Sequence, residues 1–152
     1  EALLSQMQAD KSNYETGRDR VYSYPLLPDI EKNFMFGASI SKWNPNDSTA
    51  IDENSMGDFY RGLETSGTIP GFRTDTARVN ENGNHVKMIE VGGPFTISDG
   101  QGGFIPFYVT CVFFRPTHGG VVRMLFTYLK DYKLQISNDV MSIIDSITLL
   151  GQ

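Results

Sequence analysis

The stretch that decides the fold is Phe104-Ile105-Pro106-Phe107-Tyr108-Val109-Thr110-Cys111-Val112-Phe113-Phe114-Arg115. From Phe107 to Phe114 it is apolar at odd and even positions alike. Successive side chains of a strand point to opposite faces, so such a run needs cover on both sides. It predicts a central strand. Pro116-Thr117-His118-Gly119-Gly120 follows, then a second strand from Val121 to Lys130. The Pro and Gly step between them predicts a tight antiparallel hairpin.

Working outward towards the N-terminus, Asp99-Gly100-Gln101-Gly102-Gly103 reads as a flexible turn and Pro94 to Ser98 as a short strand. Arg73–Asn80 and His85–Val91 flank Asn80-Glu81-Asn82-Gly83-Asn84, whose Asn-Gly step tolerates positive φ and predicts another hairpin. Met56, Phe59, Tyr60 and Leu63 are spaced i, i+3, i+4, i+7, one face of a helix. Asp52 or Ser55 could cap its start and Gly67 its end. Phe34 to Trp43 alternates as a strand and runs into the turn Trp43-Asn44-Pro45-Asn46-Asp47. Towards the C-terminus, Asp131 to Ile136 reads as a turn with a short extended piece. Asn138 is then a candidate N-cap for a helix carrying Val140, Ile143, Ile144 and Ile147 and running to about Leu149. Over residues 1–20, Leu3, Leu4 and Met7 suggest a short helix leading into a tether; Tyr22-Ser23-Tyr24-Pro25 is extended. The expected organisation is a tether or short helix over 1–20 and one domain over 21–152. That domain is α+β, a central antiparallel sheet of about six strands flanked by two helices, as an α/β/α sandwich.

The chain has 152 residues, 39% hydrophobic and 12% aromatic, with a net charge of −5. One domain with a sizeable core fits that length. The acidic balance speaks against nucleic acid as a partner. A single Cys excludes an internal disulfide and any multi-cysteine zinc site. No apolar run reaches the roughly 18 residues a membrane helix needs. The 15 Gly, with abundant Asn, Ser, Thr and Tyr, and an opening on Glu1 rather than Met, lead us to expect a processed, exported or cell-envelope protein. Asn46-Asp47-Ser48 has the pattern of a glycosylation acceptor.

Three stretches carry a resemblance to the photosystem II extrinsic P-subunit (PsbP-like) family and the Mog-type Ran-binding nuclear import factors. They are Ser41-Lys42-Trp43-Asn44-Pro45 at a strand end, Met124-Leu125-Phe126-Thr127-Tyr128-Leu129 in the long hairpin, and Ile143-Ile144-Asp145-Ser146-Ile147 in the terminal helix. The resemblance spans roughly residues 30–150. It implies an α/β/α sandwich and a non-catalytic binding or assembly factor, bacterial lipoproteins being among the members. It implies no metal ligand or partner-contact residue, because no such motif matches here.

Catalytic signatures are missing from the sequence: there is no Gly-x-Ser-x-Gly elbow, no His-Glu-x-x-His and no phosphate loop. His85 and His118 fall in separate turns and read as solvated; Cys111 lies in an apolar run and reads as a buried structural thiol. Asp52, Glu53 and Asp75 read as surface acids. No catalytic residue, metal or cofactor is implied. Three aromatics beside turns, Trp43, Phe72 and Phe104, are the candidate binding residues, since exposed rings anchor partners well. The expected function is protein–protein contact with an unidentified partner. The alternative is a small-ligand-binding or enzymatic domain with a cleft between the sheet and the helix at 55–64. Tyr60, Arg73, Tyr108 and Arg123 are its candidate lining residues.

Overall fold

The computed structural model describes residues 19–22, 36–44, 49–98, 100–116 and 120–150. In chain order the elements are β1 (Asp19–Tyr22), β2 (Phe36–Asn44), α1 (Met56–Thr65), β3 (Thr76–Glu81), β4 (Lys87–Ser98), β5 (Phe104–Phe114), β6 (Val121–Leu129), a 3-10 turn (Lys130–Tyr132) and α2 (Lys133–Ser146). The fold is α+β: antiparallel strands with two helices. The expected helix at Leu3, Leu4 and Met7, the Ser23-Tyr24-Pro25 stretch, the Asn46-Asp47-Ser48 acceptor and His118 lie outside the described residues.

The sheet runs β1-β2-β6-β5-β4-β3, each neighbour antiparallel to the next. β3 to β6 form a meander, and β6 closes onto β2. The chain therefore crosses the sheet once, between β2 and β3, and α1 lies on that crossing. β5 lies between β4 and β6 and is buried on both faces, as its double-sided apolar pattern requires. Phe107, Val109, Cys111 and Phe113 join Phe59 and Leu63 of α1, with Phe72, Ile89 and Val91, in one core. Tyr108, Val112 and Phe114 join Ile136, Val140 and Ile144 of α2, with Met88 and Phe126, in the other.

Several boundaries differ from the sequence reading; β3 starts at Thr76 rather than Arg73, and α2 ends at Ser146 rather than near Leu149. α2 begins at Lys133, not Asn138. Lys133-Leu134-Gln135-Ile136 contains no helix breaker, and Ile136, Val140 and Ile144 form one i, i+4, i+8 stripe that seats the helix from its first turn. β4 is continuous through Gly92-Gly93-Pro94, where two strands were expected. A Cβ at Gly93 would lie 1.9 Å from the Arg73 carbonyl oxygen and 2.8 Å from the Phe72 ring, so the glycine keeps the strand intact under a crossing segment. Asp19 and Arg20, expected in the tether, belong to β1.

The β3–β4 turn also fastens α2. Asn82, only 5% exposed, donates from Nδ2 to the carbonyls of Ile144 (3.0 Å) and Ile147 (2.9 Å). Its Oδ1 accepts from the backbone N–H of Asn84 and Val86, both at 3.0 Å. Asn84 adds bonds to the carbonyls of Asp145 and Ile147. These side chains satisfy the helix-end carbonyls that have no partner within the helix. Asn82→Ala would strand buried donors and acceptors on both elements. It should cost about 1–3 kcal/mol, read as a lower urea midpoint at unchanged slope. Replacement of the exposed Glu53, remote from the clasp, should stay within about 0.5 kcal/mol.

Candidate functional site

On the α2 face the C-terminal end of the helix reaches the β3–β4 turn, and beside its N-terminal end the sheet stays open. An open cleft of about 600 Å³ results, lined by residues of β3 to β6 and by Lys133 and Ser137 of α2. That is a small-ligand volume, within the range of about 300–1,000 Å³ usual for such sites.

A break in strand alternation shapes its floor. The Asp75 N–H donates to the Gly92 carbonyl at 2.9 Å, yet the Cα partner of Gly92 is Thr76. Two residues thus oppose one, which is a β-bulge. Regular alternation would send Asp75 and Thr76 to opposite faces; the bulge turns both towards Tyr108. The Tyr108 hydroxyl donates to Asp75 Oδ1 at 2.7 Å. A Cβ at position 92 would meet Thr76 Oγ1 at 2.7 Å and Tyr108 Oη at 2.8 Å, so the glycine makes room for this pair. From the other side of the sheet, Glu64 of α1 fixes the same segment by accepting from the Thr74 N–H at 2.9 Å. That contact holds the Glu64 carboxyl below the usual carboxylate range.

The remaining polar groups engage one another. Glu90 is buried in the middle of β4 and takes Arg78 Nε on one carboxylate oxygen and Asn80 Nδ2 on the other. Arg78 is the cross-strand partner of Glu90, which places the pair face to face. Thr110 Oγ1 and the Tyr128 hydroxyl share a hydrogen bond of 2.9 Å. The Tyr108 and Tyr128 rings lie 5.8 Å apart. The Lys133 ammonium sits 3.8 Å from the centre of the Tyr108 ring, well within cation–π range. Burial first, then the hydrogen bond to Asp75, pushes the Tyr108 phenol up to about 12. Burial pushes Tyr128 up too. Both phenols therefore stay protonated at neutral pH, and Tyr108 donates to Asp75.

Of the residues singled out in the sequence, Tyr108 and Asp75 meet in this cleft. Trp43 stands on the α1 face, edge-on to Phe113 at 5.1 Å, with the Arg123 guanidinium 5.3 Å over its ring. Phe72 is fully buried in the α1-face core and has no surface to offer a partner. Phe104 is 72% exposed, at the end of the β4–β5 ribbon that runs past Leu129 of β6. Trp43 and Phe104 are separated by most of the length of β5, roughly 30 Å at about 3.3 Å per residue. The three aromatics therefore form no common patch. Tyr60 and Arg123 are on the α1 face, whose interface with the sheet is filled by Phe59, Leu63 and Phe72. Arg73 hydrogen-bonds the Phe72 carbonyl. His85 is exposed, with Nδ1 3.0 Å from Glu81. Cys111 is buried and its thiol is pushed up by desolvation. Among the described residues no three His, Cys, Asp or Glu come together as metal ligands, and no helix is long and apolar enough to cross a membrane.

The sequence reading missed Arg78, Glu90 and Lys133. One signal existed: Glu90 interrupts Met88-Ile89-Glu90-Val91, and an acid inside an apolar strand needs a partner across the register.

The described residues form an α+β domain with an open cleft lined by both polar and apolar groups. No protein-family model and no curated protein matches the sequence. The fold itself is similar to the crystal structure of protein PA94 from Pseudomonas aeruginosa, described as of unknown function and a candidate regulator. The TM-score is 0.62 at 8% identity, over 88% of this chain and 84% of that chain.

Two predictions follow from this geometry. Tyr108 holds its proton more tightly folded than unfolded. Its contribution is complete below the ordinary value of 10.0 and is lost as pH rises towards about 12. Unfolding free energy should fall across that window, and Tyr108→Phe should flatten the fall while costing about 0.5–1.5 kcal/mol at neutral pH. Denaturant titrations at stepped alkaline pH measure both. Separately, Trp43→Ala should cost about 3 kcal/mol through lost core packing, whereas Phe104→Ala should leave the thermal midpoint nearly unchanged.

Proposed function

We propose that the protein is a non-enzymatic binding domain that works by protein–protein contact, and that the cleft beside α2 receives the partner. The observation that carries this reading is the state of the cleft's polar groups. Arg78 with Glu90, Tyr108 with Asp75 and Thr110 with Tyr128 are already paired. Groups so engaged hold a fixed shape and charge pattern for a partner to meet. β3 is the last strand of the sheet among the described residues and borders the cleft. An edge strand beside a groove suits an extended segment, which can add main-chain hydrogen bonds while its side chains enter the groove. The exposed Phe104 is a second contact point on the same reading.

A second reading, a small-ligand-binding domain, is favoured by the cleft's volume of about 600 Å³. The α/β/α sandwich and the likeness to the PsbP-like and Mog-type binding factors belong to the first reading. Core clusters on both faces of the sheet support the sandwich, and the likeness rests on the three short sequence stretches that carry it. An exported or cell-envelope setting completes the reading, with the Gly-, Asn-, Ser- and Tyr-rich composition in its favour.

The test is Ser137→Arg, which places a bulky charged side chain in the cleft wall without touching either core. Wild-type protein immobilised against its native extract should retain a partner that Ser137→Arg loses, at an unchanged melting temperature. Equal retention by both would remove the cleft from the interface.

A further inference from the structure

We propose that the cleft recognises an alkylammonium group, and that Lys133 is its built-in occupant. The inference rests on the cleft being the binding site. It starts from where the lysine goes. Lys133 is the first residue of α2, and its ammonium lies over the Tyr108 ring rather than against a carboxylate. The same ring donates its hydroxyl to Asp75. A face-on aromatic ring with an acid at its edge is a cation site, the ring supplying its negative face and the acid the countercharge.

The charge balance favours the same ligand. Both oxygens of Glu90 are taken by Arg78 and Asn80, so that acid and that guanidinium match each other. Asp75 forms no ion pair among the described residues, and Tyr108 engages only its Oδ1. It is the cleft acid with charge left to offer. An incoming primary ammonium can bond to Asp75 and lie on Tyr108, taking over the position of the Lys133 head. The displaced lysine, at the exposed end of a helix, regains full hydration. The chain's net charge of −5 attracts such a ligand from a distance. The ammonium can come from a lysine side chain in a partner's extended segment or from a free amine.

The experiment uses the full chain with four probes: n-butylammonium, sodium butyrate, n-butanol, and the peptide acetyl-Gly-Lys-Gly-amide. Binding is followed by NMR shifts of the Tyr108 ring and the Lys133 Cε protons, and by calorimetry. Butylammonium and the peptide should move both sets of signals; butyrate and butanol should not. Lys133→Met removes the internal competitor and should tighten butylammonium binding by about 3–10-fold, since a site occupied in cis lowers apparent affinity by its free fraction. Asp75→Asn should weaken binding by about 10-fold or more. A peptide at least 10-fold tighter than the free amine identifies a partner's lysine as the source; equal affinities identify a small amine.

The sign of the Lys133→Met effect is decisive. Weaker binding in that variant, or preferential binding of butyrate, would overturn the inference and make Lys133 and Arg78 an anion site; the cleft reading would survive. No response to any probe, with partner capture still lost in Ser137→Arg, overturns the ammonium inference alone. No response together with unchanged capture overturns both.

Discussion

The structure depends on the burial of β5 from both sides. A strand apolar on both faces cannot sit at the surface of a single-layer sheet, and this one carries Phe107, Val109, Cys111 and Phe113 into one core and Tyr108, Val112 and Phe114 into the other. Each face then needs its own helix. α1 arrives on the crossing from β2 to β3, and α2 after the last strand, so chain order delivers one helix to each side. Neither helix is wide enough to cover a whole face. The cleft is the uncovered remainder on the α2 side, where polar side chains such as Asp75, Glu90 and Lys133 share the lining with apolar surface.

Much of this was legible in the sequence because it follows from local period. The two-sided run of β5 depends on a few adjacent residues, as does the Phe59/Leu63 face of α1; the hairpin after β3 was also legible, although its positive φ falls at His85 and not at the Asn82-Gly83 step. The start of α2 was misread because Asn138 is a good cap in isolation, whereas Ile136 packs on the sheet one turn earlier. The break expected in β4 followed from the ordinary meaning of Gly-Gly-Pro. Here those residues lie beneath Phe72 and Arg73, a tertiary fact that no local pattern encodes. The cleft was hidden for the same reason. It needs the bulge at Asp75 and Thr76, the Arg78–Glu90 register pair, and a lysine reaching back from a helix. Each is set by pairing between segments far apart in the chain. Tyr108 was identifiable as a candidate, but its neighbours were not.

The two faces differ in what they do with polar atoms. On the cleft side nearly every polar group has a partner of opposite character, so the surface presents a fixed pattern of charge and aromatic ring. On the α1 side, Arg123 Nε and Ser41 Oγ are buried with no hydrogen-bond partner among the described residues. They sit across from each other on β6 and β2, and Arg123 turns its guanidinium to the Trp43 ring instead. A ring face recovers part of what a desolvated cation gives up. Aromatic–cation contact thus recurs on both faces, at Trp43 within the core boundary and at Tyr108 at the cleft floor.

Gly92 and Gly93 set how closely main chain can approach main chain. Gly92 is the last residue of β4 paired with β3, and the ribbon bearing Phe104 becomes two-stranded further on, beyond Phe95 and Phe107, where β6 ends. One glycine is the floor under Tyr108 and Thr76; the other is wedged beneath the Arg73 carbonyl and the Phe72 ring. A side chain at the second would collide with backbone rather than with a movable side chain, so any larger residue there would have to lift the crossing segment, and with it Asp75 at the cleft edge.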